Sequence, residues 1–478
     1  MGVGVRSGTD AASQRSRVGS VRPMPAASES LHDAPDQGSG PALAVIGTGY
    51  VGLTTGACLA HLGFHVVCAD IDEDKVARLE AGEIPIVEHG LDKLVTDAVA
   101  AGRLRFVVGA AGAAADADIV FLCVPTPQDA DGSADLSYIQ AAAGEIAPVL
   151  RPGAVVVNKS TVPVGSTRVV ERVLQRPDVA VVSNPEFLRE GTAVNDFLHP
   201  DRVVIGGDDP AAAERVAALY HDLDTEILIT DAASAETIKY AANGFLAMKI
   251  SFVNAVAALC EAVGADVHHV IEGIGSDQRI GRAFLRPGPG WGGSCFPKDS
   301  RALVSIAAKH GYDFSMMRGV IAVNDEQRER MVRKVMAAAG RDGTAPGTKP
   351  LAGVCIAALG LTFKAGTDDL RESPSLAVIA ELQDLGAAIR AYDPTAAGSL
   401  DHVQRSRLDG LELAADPYAA ATGADVTVLL TEWSEFGYLD LDRLAEVMRG
   451  RAVVDTRNVL DPAAVRSRGL TYDGVGRR

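Results

Sequence analysis

The sequence contains few cysteines and no pattern that would link them. Its 478 residues include six cysteines at wide spacings, and none forms a CxxC pair. Neither a disulfide framework nor a zinc site is therefore indicated, and the ten histidines show no metal-ligand spacing. We expect no bound metal. Thiols scattered through apolar segments are typical of a reducing compartment, so we expect a cytoplasmic protein.

Positive charge is also in deficit. The chain has 45 Lys and Arg against 62 Asp and Glu, a net charge of −17. Such a chain repels phosphate backbones and anionic lipid, which argues against nucleic acid and membrane surfaces as partners. No apolar run reaches the roughly 18 residues that would predict a transmembrane helix. A small anionic ligand remains compatible, because a cleft can be locally positive in an acidic protein.

The first 40 residues lack periodic apolar positions and the apolar core of a secretory signal. They are rich in Ser, Gly, Pro and Ala, which is typical of a disordered extension. Residues 1–40 are therefore predicted to be a disordered tail. The remaining chain is globular in composition and long enough for two to four domains.

Short apolar runs alternate with helix-like segments in two blocks, which predicts parallel sheets covered on both faces. In the first block, 41–235, the predicted strands are 42–46, 65–69, 119–124, 155–158, 179–182 and 203–205. A Gly/Pro-rich linker near 341–350 precedes the second block, 351–478, with predicted strands at 351–359, 387–392, 425–430 and 452–454.

Between the blocks lies a proline-free segment with apolar residues at helical spacing, which Ser234 could cap and Gly264 could end. About 30 residues at about 1.5 Å each span roughly 45 Å. That length exceeds the needs of one domain. The segment is therefore predicted to be a spine helix in a central helical domain, 236–340, joining the blocks and contacting a partner subunit.

The first block opens with the glycine turn Gly47-Thr48-Gly49-Tyr50-Val51-Gly52. It follows a predicted strand, opens a helix and precedes Asp70 at the end of the next strand. Gly47 permits the tight turn, Gly49 the approach of a pyrophosphate and Gly52 close helix packing. Asp70 can accept hydrogen bonds from ribose hydroxyls and would repel a 2′-phosphate, so the pattern favours NAD over NADP.

The second block has no such turn, because the chain reads Gly360-Leu361-Thr362-Phe363-Lys364 there. The missing glycines argue against a second dinucleotide. Lys364 and Arg371 follow the strand and suit a phosphate, although a solvated loop is an equal alternative. The predicted fold class is thus α/β, with two Rossmann-like doubly wound domains joined by a central helical domain with a long spine helix.

The most unusual segment is Trp291-Gly292-Gly293-Ser294-Cys295-Phe296-Pro297-Lys298-Asp299. Glycines allow a substrate close to the backbone, and Lys298 could favour the Cys295 thiolate, the nucleophilic form. The other five cysteines fit the alternative of buried structural thiols. A nicotinamide dehydrogenase seldom needs a thiol to oxidise an alcohol, but it does need one to oxidise an aldehyde to an acid. A dinucleotide fold with such a cysteine therefore predicts a four-electron oxidation of alcohol to carboxylate.

At this point eight motifs, in order, carry a family likeness. They are GTGYVG (47–52), VPTP (124–127), KSTVPVG (159–165), NPEFLREGTA (184–193), HPDRVVIGG (199–207), KYAANGFLA (239–247), GGSCFPKD (292–299) and FKAGTDDLRESP (363–374). The chain resembles the UDP-glucose/GDP-mannose dehydrogenase family from about 41 to 475. The resemblance implies an NAD domain, a central helical dimer core and a C-terminal domain that helps to bind a UDP-sugar.

The resemblance also implies roles for individual residues. Cys295 matches the nucleophile, Lys239 and Asn243 the pair that holds the oxyanion, and Asp299 the acid that orders water. Glu186 matches the carboxylate of thioester hydrolysis, and Thr161 a residue that positions water. Implied NAD contacts, besides the turn Gly47, Gly49, Tyr50, Val51 and Gly52 and Asp70, are Lys75, Thr126, Glu190, Lys298 and Arg371.

Substrate contacts are implied for Glu186, Phe187, Leu188, Arg189, Lys239, Asn243, Phe284, Leu285, Arg286, Pro287, Gly288, Gly292 and Lys364, and Arg279 resembles an arginine that reaches the partner subunit's substrate. The expected reaction is oxidation of UDP-glucose at C6 by two NAD in a homodimer. The alternatives are a GDP-mannose or UDP-N-acetylhexosamine dehydrogenase, a two-electron β-hydroxy acid dehydrogenase, and a non-catalytic NAD-binding protein.

Overall fold

The computed structural model of the protein describes residues 40–129, 132–341, 348–395, 406–408 and 410–477. The predicted tail, apart from Gly40, and most of the predicted linker near 341–350 lie outside these residues. The described chain forms two mainly parallel sheets separated in sequence by a group of long helices. The predicted α/β class, with two doubly wound sheets joined by a helical region, is confirmed.

The N-terminal sheet has eight strands: β1 (Leu43–Ile46), β2 (Val66–Asp70), β3 (Leu104–Val108), β4 (Ile119–Leu122), β5 (Val155–Asn158), β6 (Ala180–Ser183), β7 (Arg202–Gly206) and β8 (Glu226–Thr230). Their order is β3-β2-β1-β4-β5-β6-β7-β8, and only β7 meets its neighbour β6 antiparallel among these described pairs. The winding direction reverses between β1 and β4, which is where such sheets bind ligands.

Helices cover both faces of this sheet. They are α1 (Tyr50–His61), α2 (Glu73–Glu80), α3 (Leu91–Ala100), α4 (Ala110–Ala114), α5 (Ser137–Ile146), α6 (Ser166–Leu174), α7 (Ala193–Leu198) and α8 (Pro210–Ala217), with a 3₁₀ turn at Ala218–Tyr220. Two apolar cores result, one around Leu53 and Leu59 of α1, and one around Ile139 and Ile146 of α5. The sheet between them is therefore held rigidly, which fixes its carboxyl edge.

The central region consists of α9 (Ala232–Val263), α10 (Val267–Gly275), α11 (Phe296–Lys309) and α12 (Ser315–Ala338). The spine helix α9 has 32 residues, about 48 Å at about 1.5 Å each. It ends as predicted at Gly264, which is left-handed (φ 77°). Its cap was predicted wrongly: Asp231, not Ser234, accepts the capping bond, from the Ser234 amide at 2.8 Å.

Helix α9 is long and apolar enough to cross a membrane by length and composition alone. However, α11 and α12 pack along it. Its buried face also carries Glu236, Lys239 and Asn243, all hydrogen-bonded within the protein. In this fold α9 is the core of the helical region, and its polar positions contribute to a site rather than to a membrane span.

The C-terminal sheet has six strands: β9 (Cys355–Leu359), β10 (Ala388–Tyr392), β11 (Glu412–Leu413), β12 (Val426–Leu429), β13 (Ala452–Asp455) and β14 (Thr471–Gly474). Its described helices are α13 (Pro374–Asp384), α14 (Pro417–Ala421), α15 (Leu441–Val447) and α16 (Pro462–Ser467), with a 3₁₀ turn at Ser434–Tyr438. The order β11-β10-β9-β12-β13-β14 is parallel throughout and repeats the 3-2-1-4-5-6 arrangement of dinucleotide-binding folds.

Four strands were not predicted from the sequence: β3, β8, β11 and β14. Each lies at or near a sheet edge, and β8 is exposed along most of its length. An edge strand is not buried on both faces, so it lacks the continuous apolar run that identifies a central parallel strand. The predicted strand at 351–359 begins only at Cys355, because residues 350–353 form a turn.

Candidate functional site

A cleft of about 710 Å³ opens at the carboxyl edge of the N-terminal sheet. Its walls come from the β1–α1 turn, the loops after β4, β5 and β6, the start of α11 and a loop of the C-terminal sheet. All three parts of the chain therefore contribute to one cavity. Within the described residues, no three His, Cys, Asp or Glu side chains are grouped as metal ligands.

The glycine turn forms the floor of this cleft. Gly47 has φ +96°, and a Cβ there would lie 2.7 Å from the Cys123 carbonyl oxygen. A Cβ at Gly52 would lie 1.8 Å from the Gly47 oxygen, so helix α1 can pack this closely only with glycine. At Gly49 a Cβ would meet nothing within 4 Å among the described residues. That open side, at the N-terminus of α1, suits an incoming phosphate.

Asp70, at the end of β2, faces the same turn. Its Oδ2 accepts hydrogen bonds from the Thr48 amide (2.9 Å), the Thr48 hydroxyl (2.6 Å) and the Lys75 ammonium (3.0 Å). Burial tends to raise the pKa of Asp70, but these donors and the Lys75 charge lower it to about 2. The carboxylate is therefore ionised at neutral pH and able to accept ribose hydroxyls. The turn and Asp70 together fit a dinucleotide.

The loop before Cys295 packs against the C-terminal sheet with no room for side chains. A Cβ at Gly292 would lie 2.0 Å from the Glu372 carbonyl oxygen. Gly293 has φ +80°, and a Cβ there would lie 2.8 Å from the Phe363 ring. Cys295 follows as the residue that caps α11. The two glycines therefore place the loop of the predicted nucleophile, Cys295 (here the nucleophile loop), between the two sheets.

The Cys295 thiol is protonated in this arrangement. Burial and the Glu186 charge raise its pKa to about 11, and Lys239 opposes them. The prediction that Lys298 favours the thiolate was wrong. The Lys298 ammonium pairs with Asp299 at 2.9 Å instead. The cation that stabilises the thiolate comes from α9, because the side chain of Lys239 reaches the site from another helix.

Lys239 and Glu186 form a buried ion pair beside the thiol. The ammonium donates to the Glu186 carboxylate at 2.8 Å and to the Glu186 carbonyl at 2.6 Å. Burial lowers the pKa of Lys239, but the charges of Glu186, Cys295 and Asp299 raise it further, so the net shift is upward. Lys239 is therefore a permanent ammonium at neutral pH, suited to donating hydrogen bonds rather than accepting a proton.

Asn243 lies one turn along α9 from Lys239. Its amide nitrogen donates to the Asp299 carboxylate at 2.6 Å, and both side chains are buried. Thr161 is also buried and lines the cleft, and its carbonyl accepts the Thr126 hydroxyl at 2.9 Å. Of the six residues predicted as catalytic, Cys295, Glu186 and Thr161 line the cleft. Lys239, Asn243 and Asp299 are buried outside its lining, where Lys239 bonds to Glu186 and Asn243 to Asp299.

Most residues predicted to contact the cofactor also line this cleft: Gly47, Gly49, Tyr50, Val51, Asp70, Lys75, Thr126, Glu190, Lys298 and Arg371. Gly52 lies beneath the turn. Arg371 donates to Asp369 and to Glu190, at 2.7 and 3.2 Å. Within an acidic protein the cleft therefore carries several cations, which fits an anionic ligand.

The predicted substrate residues divide into those that line the cleft and those that lie outside its lining. Leu188, with Glu186, lines the cleft, and Phe187 packs beneath it with the Arg202 guanidinium 3.7 Å from its ring centre. Burial lowers the pKa of Lys364. The loop 284–288 is buried at Leu285, Pro287 and Gly288, and Phe284 has φ 61°. Gly292 belongs to the nucleophile loop.

Three predicted arginines are not brought into the cleft. Arg189 pairs with Asp196, and Arg286 is exposed. Arg279 is 89% exposed and pairs with Asp277 in its own turn. Arg279 therefore does not line this cavity in a single copy of the chain.

Several residues around the site were missed by sequence reasoning. Glu88, buried between α2 and α3, accepts hydrogen bonds from the Tyr50 hydroxyl and from the Gly191 amide at 2.7 Å. Arg457, after β13, lies with its guanidinium 3.2 Å from where a Gly288 Cβ would be. An arginine that follows a strand is a signal that could have been read, as it was for Arg371. No sequence pattern marks Glu88.

Buried side-chain amides hold the loop that leads to Cys295, the predicted nucleophile. Asn254 accepts the Gly288 amide at 2.9 Å, and Gln327 donates to the Gly288 carbonyl at 2.8 Å. Asn324 accepts the Trp291 amide at 2.8 Å and donates to its carbonyl at 3.0 Å. Polar residues on the buried faces of α9 and α12 are the sequence feature from which these contacts to the loop could have been predicted.

The C-terminal sheet uses its matching turn differently. Gly360 is left-handed (φ +95°), as Gly47 is. Asp393 directly follows β10, and Asp70 is the last residue of β2. However, Asp393 Oδ2 accepts the Leu361 amide (2.7 Å) and the Trp433 indole (3.1 Å), and its Oδ1 accepts the Thr395 hydroxyl (2.6 Å). Asp393 is also only 2% exposed, so it has no open side for a ribose. Asp70 Oδ1 likewise accepts a chain donor, the Asp72 amide at 3.2 Å, but the Asp70 side chain is 14% exposed and lines the cleft.

Three family models match the chain in order. The NAD binding domain of the UDP-glucose/GDP-mannose dehydrogenase family matches residues 42–224, its central domain matches 233–326, and its UDP binding domain matches 357–462. The two glycine turns described above fall one in each outer match. The buried group of Lys239, Asn243 and Asp299 falls in the central match.

Whole-length relatives agree with these matches. The chain is 49% identical over 445 residues to the UDP-glucose 6-dehydrogenase of Rhizobium meliloti (strain 1021), covering 91% of this chain and 99% of that protein. It is 44% identical to the UDP-glucose 6-dehydrogenase of Pseudomonas aeruginosa, covering 91% and 97%. The structure of a UDP-glucose dehydrogenase from Pyrobaculum islandicum is similar, with a TM-score of 0.84, 37% identity, and 93% and 100% of the two chains covered.

Proposed function

The chain belongs to the UDP-glucose/GDP-mannose dehydrogenase family, and we propose that it oxidises UDP-glucose at C6 to UDP-glucuronate, with NAD as its cofactor. The relatives named above support the sugar. One observation carries the chemistry: a half-buried cysteine, with an ammonium and an amide nearby, faces the cleft that holds the dinucleotide turn. Bound NAD⁺ supplies a hydride acceptor.

In the first oxidation the hydroxyl at C6 loses a proton and a hydride to give an aldehyde. Asp299 is suited to take that proton through an ordered water, because Asn243 and Lys298 hold its carboxylate in place. Thr161 lines the cleft, where its hydroxyl can orient the same water. A positioned carboxylate of this kind contributes about 10²–10⁴-fold as a general base.

In the second oxidation the Cys295 sulfur adds to the aldehyde carbon, and the carbonyl oxygen becomes an oxyanion. An ammonium has three N–H groups, and within the described residues Lys239 gives two of them to Glu186. The third, with the second N–H of Asn243, can stabilise the oxyanion. One such donor is worth about 10²–10³ in rate. Loss of a second hydride, for which a second NAD⁺ is consumed, then gives a thioester. Glu186 assists its hydrolysis by water, which returns the Cys295 thiol.

The test is the ratio of NADH formed to UDP-glucose consumed. We expect two NADH per sugar, with UDP-glucuronate as the product, and Cys295→Ser should abolish acid formation. One NADH per sugar, or undiminished acid formation in Cys295→Ser, would refute the four-electron mechanism. No NADH with any nucleotide sugar would point to a non-catalytic NAD-binding protein.

The sugar is tested separately with a panel of nucleotide sugars. UDP-glucose should give the highest kcat/KM. Faster turnover of GDP-mannose or a UDP-N-acetylhexosamine would assign another member activity of the family. This alternative has structural support, because a UDP-D-ManNAc dehydrogenase from Pyrococcus horikoshii matches with a TM-score of 0.79 at 28% identity, over 91% of this chain and 99% of that chain.

We further propose that two copies associate through the central helices. Phe245, Phe252, Leu259 and Val263 follow one another along α9 at spacings that keep them on one helix face, and each is between 56% and 67% exposed. An apolar stripe of this length is typical of a subunit interface. In such a dimer Arg279 would be placed to serve the partner's substrate site. The six free cysteines support a cytoplasmic location.

A further inference from the structure

Ser294 lies between the thiol of Cys295 and the carboxylate of Glu190. Its hydroxyl donates to Glu190 Oε1 at 2.9 Å, and its oxygen lies 3.5 Å from Cys295 Sγ. A serine hydroxyl has one hydrogen. While that hydrogen points to Glu190, Ser294 Oγ can only accept in its contact with Cys295, so the thiol is the donor whenever the bond from Ser294 to Glu190 is made. The three side chains thus form a directed chain, from S–H through O–H to carboxylate.

Glu190 is built to receive a proton. Its side chain is 11% exposed, and among the described residues no donor reaches its buried Oε2. Burial and the charge of Asp369 raise its pKa to about 7, and Arg371 opposes them. Near neutral pH this carboxyl is therefore protonated in part of the molecules and ionised in the rest. The other glutamate of NPEFLREGTA, Glu186, differs, because its carboxylate accepts hydrogen bonds from Lys239 and from the Leu188 amide.

We infer that Ser294 and Glu190 relay the thiol proton away from Cys295 as its sulfur adds to an aldehyde. The S–H bond breaks and the proton goes to Ser294 Oγ. The Ser294 O–H bond breaks in the same step and its proton goes to Glu190 Oε1. The sulfur electron pair forms the C–S bond, and the carbonyl oxygen takes the π electrons. No oxidant is consumed in this addition. The inference rests on the proposed function for the identity of the electrophile.

The charged groups around the relay fix the sign of its pH dependence. Cys295 faces Glu186, Lys239 and Asp299. Glu190 faces Asp369 and Arg371, with Lys364 and Tyr50 near enough to sense its charge. An ionised Glu190 that acted only through its charge would repel the thiolate and slow the reactions of the thiol. An ionised Glu190 that accepts the proton would speed them.

The experiment measures alkylation of Cys295 by iodoacetamide without substrate, from pH 5.5 to 10, in the full chain. The Cys295 peptide is quantified by mass spectrometry, so that the other five cysteines do not contribute. In the wild type we expect the rate to rise through an inflection near the pKa of Glu190. In Glu190→Gln and in Ser294→Ala that inflection should vanish, and the rate at pH 8 should fall by about 10²-fold, the low end for a general base.

The matched controls are Glu272→Gln, on α10, and Ser276→Ala, directly after it. Both positions are exposed in the structure, and both variants should keep the wild-type profile. Persistence of the inflection in Ser294→Ala, or a wild-type rate that falls as Glu190 ionises, would overturn the relay. Because alkylation uses neither sugar nor NAD, its outcome is independent of the NADH ratio that tests the proposed function. A failed relay with two NADH per sugar would leave the function intact.

Discussion

Lys239 and Glu186 make an ion pair of 2.8 Å in which both side chains are buried, 4% and 5% exposed. They come from distant parts of the chain, one from α9 and the other from the loop after β6. Water reaches neither side chain freely, so each charge depends on the other for its stability. The pair thus links the proposed oxyanion site to the stability of the domain arrangement.

Removing one member of this pair should destabilise the protein strongly. Lys239→Met leaves the Glu186 carboxylate buried without its counter-charge, which costs about 3–5 kcal/mol in comparable pairs. Calorimetry should show a lower melting temperature. The double variant Lys239→Met, Glu186→Gln should recover part of the loss, because no uncompensated charge remains. Equal melting temperatures for the single and double variants would show that the pair is not coupled.

Lys159 offers a pH-dependent test of burial. Its ammonium is 5% exposed and donates to neutral partners, Asn184 (3.0 Å) and Tyr220 (3.3 Å). Burial lowers its pKa to about 8. The unfolded chain keeps that proton to about pH 10.4. Between these pH values the unfolded state binds more protons, so this group makes stability rise with pH. Below pH 8 both states are protonated and its contribution is constant.

We therefore expect the difference in melting temperature between the wild type and Lys159→Met to change from pH 7.5 to pH 9.5. The wild type should gain relative to the variant as the pH rises. Lys93→Met is the matched control, because Lys93 is exposed and pairs with Asp97 on the surface. A difference that is the same at both pH values would show that folding does not depress the pKa of Lys159.

The sequence predicted the central strands and the glycine turn because both depend on local patterns. β1 and β5 are buried on both faces and therefore read as apolar runs. The edge strand β11 is only two residues long and both are exposed. The edge strand β8 has a short apolar run, Ile227-Leu228-Ile229, but Leu228 and Ile229 are exposed, so the run does not report burial on both faces. The cap of α9 was missed for a related reason, since Asp231 and Ser234 are both good caps and only the tertiary structure selects one.

The candidate site was less predictable where it depends on pairs. The motifs identified Cys295, but the cation that affects it comes from α9, and sequence proximity pointed to Lys298 instead. Lys298 lies three residues along α11, where its side chain turns toward Asp299 and Thr126. Glu88 joins the site only because the β1–α1 turn and the loop at Gly191 converge on it. Contacts between such distant segments are set by the tertiary structure and leave no local pattern in the sequence.

Asp70 should determine the choice of dinucleotide. Because the pKa of Asp70 is lowered to about 2, its carboxylate is ionised at neutral pH. It therefore repels a 2′-phosphate and accepts hydrogen bonds from ribose hydroxyls. Asp70→Asn should raise KM for NAD by about tenfold, the effect of about 1.4 kcal/mol, and should narrow the preference over NADP. Initial rates with both cofactors measure this. Asp72→Asn, at the neighbouring helix cap, is the control that should keep the preference. An unchanged ratio in Asp70→Asn would remove Asp70 from ribose recognition.

The apolar stripe of α9 gives the last prediction. Phe252 lies in the middle of the stripe, 56% exposed in the single chain. Phe252→Asp places a charge where the proposed interface excludes water, which is unfavourable unless the charge is paired. We expect the wild type to sediment as a dimer and Phe252→Asp as a monomer with a raised KM for UDP-glucose, since Arg279 of the partner would be lost. Tyr438→Asp, at an 88% exposed position outside the stripe, should leave both properties unchanged. A monomeric wild type with full activity would contradict both the interface and the role of Arg279.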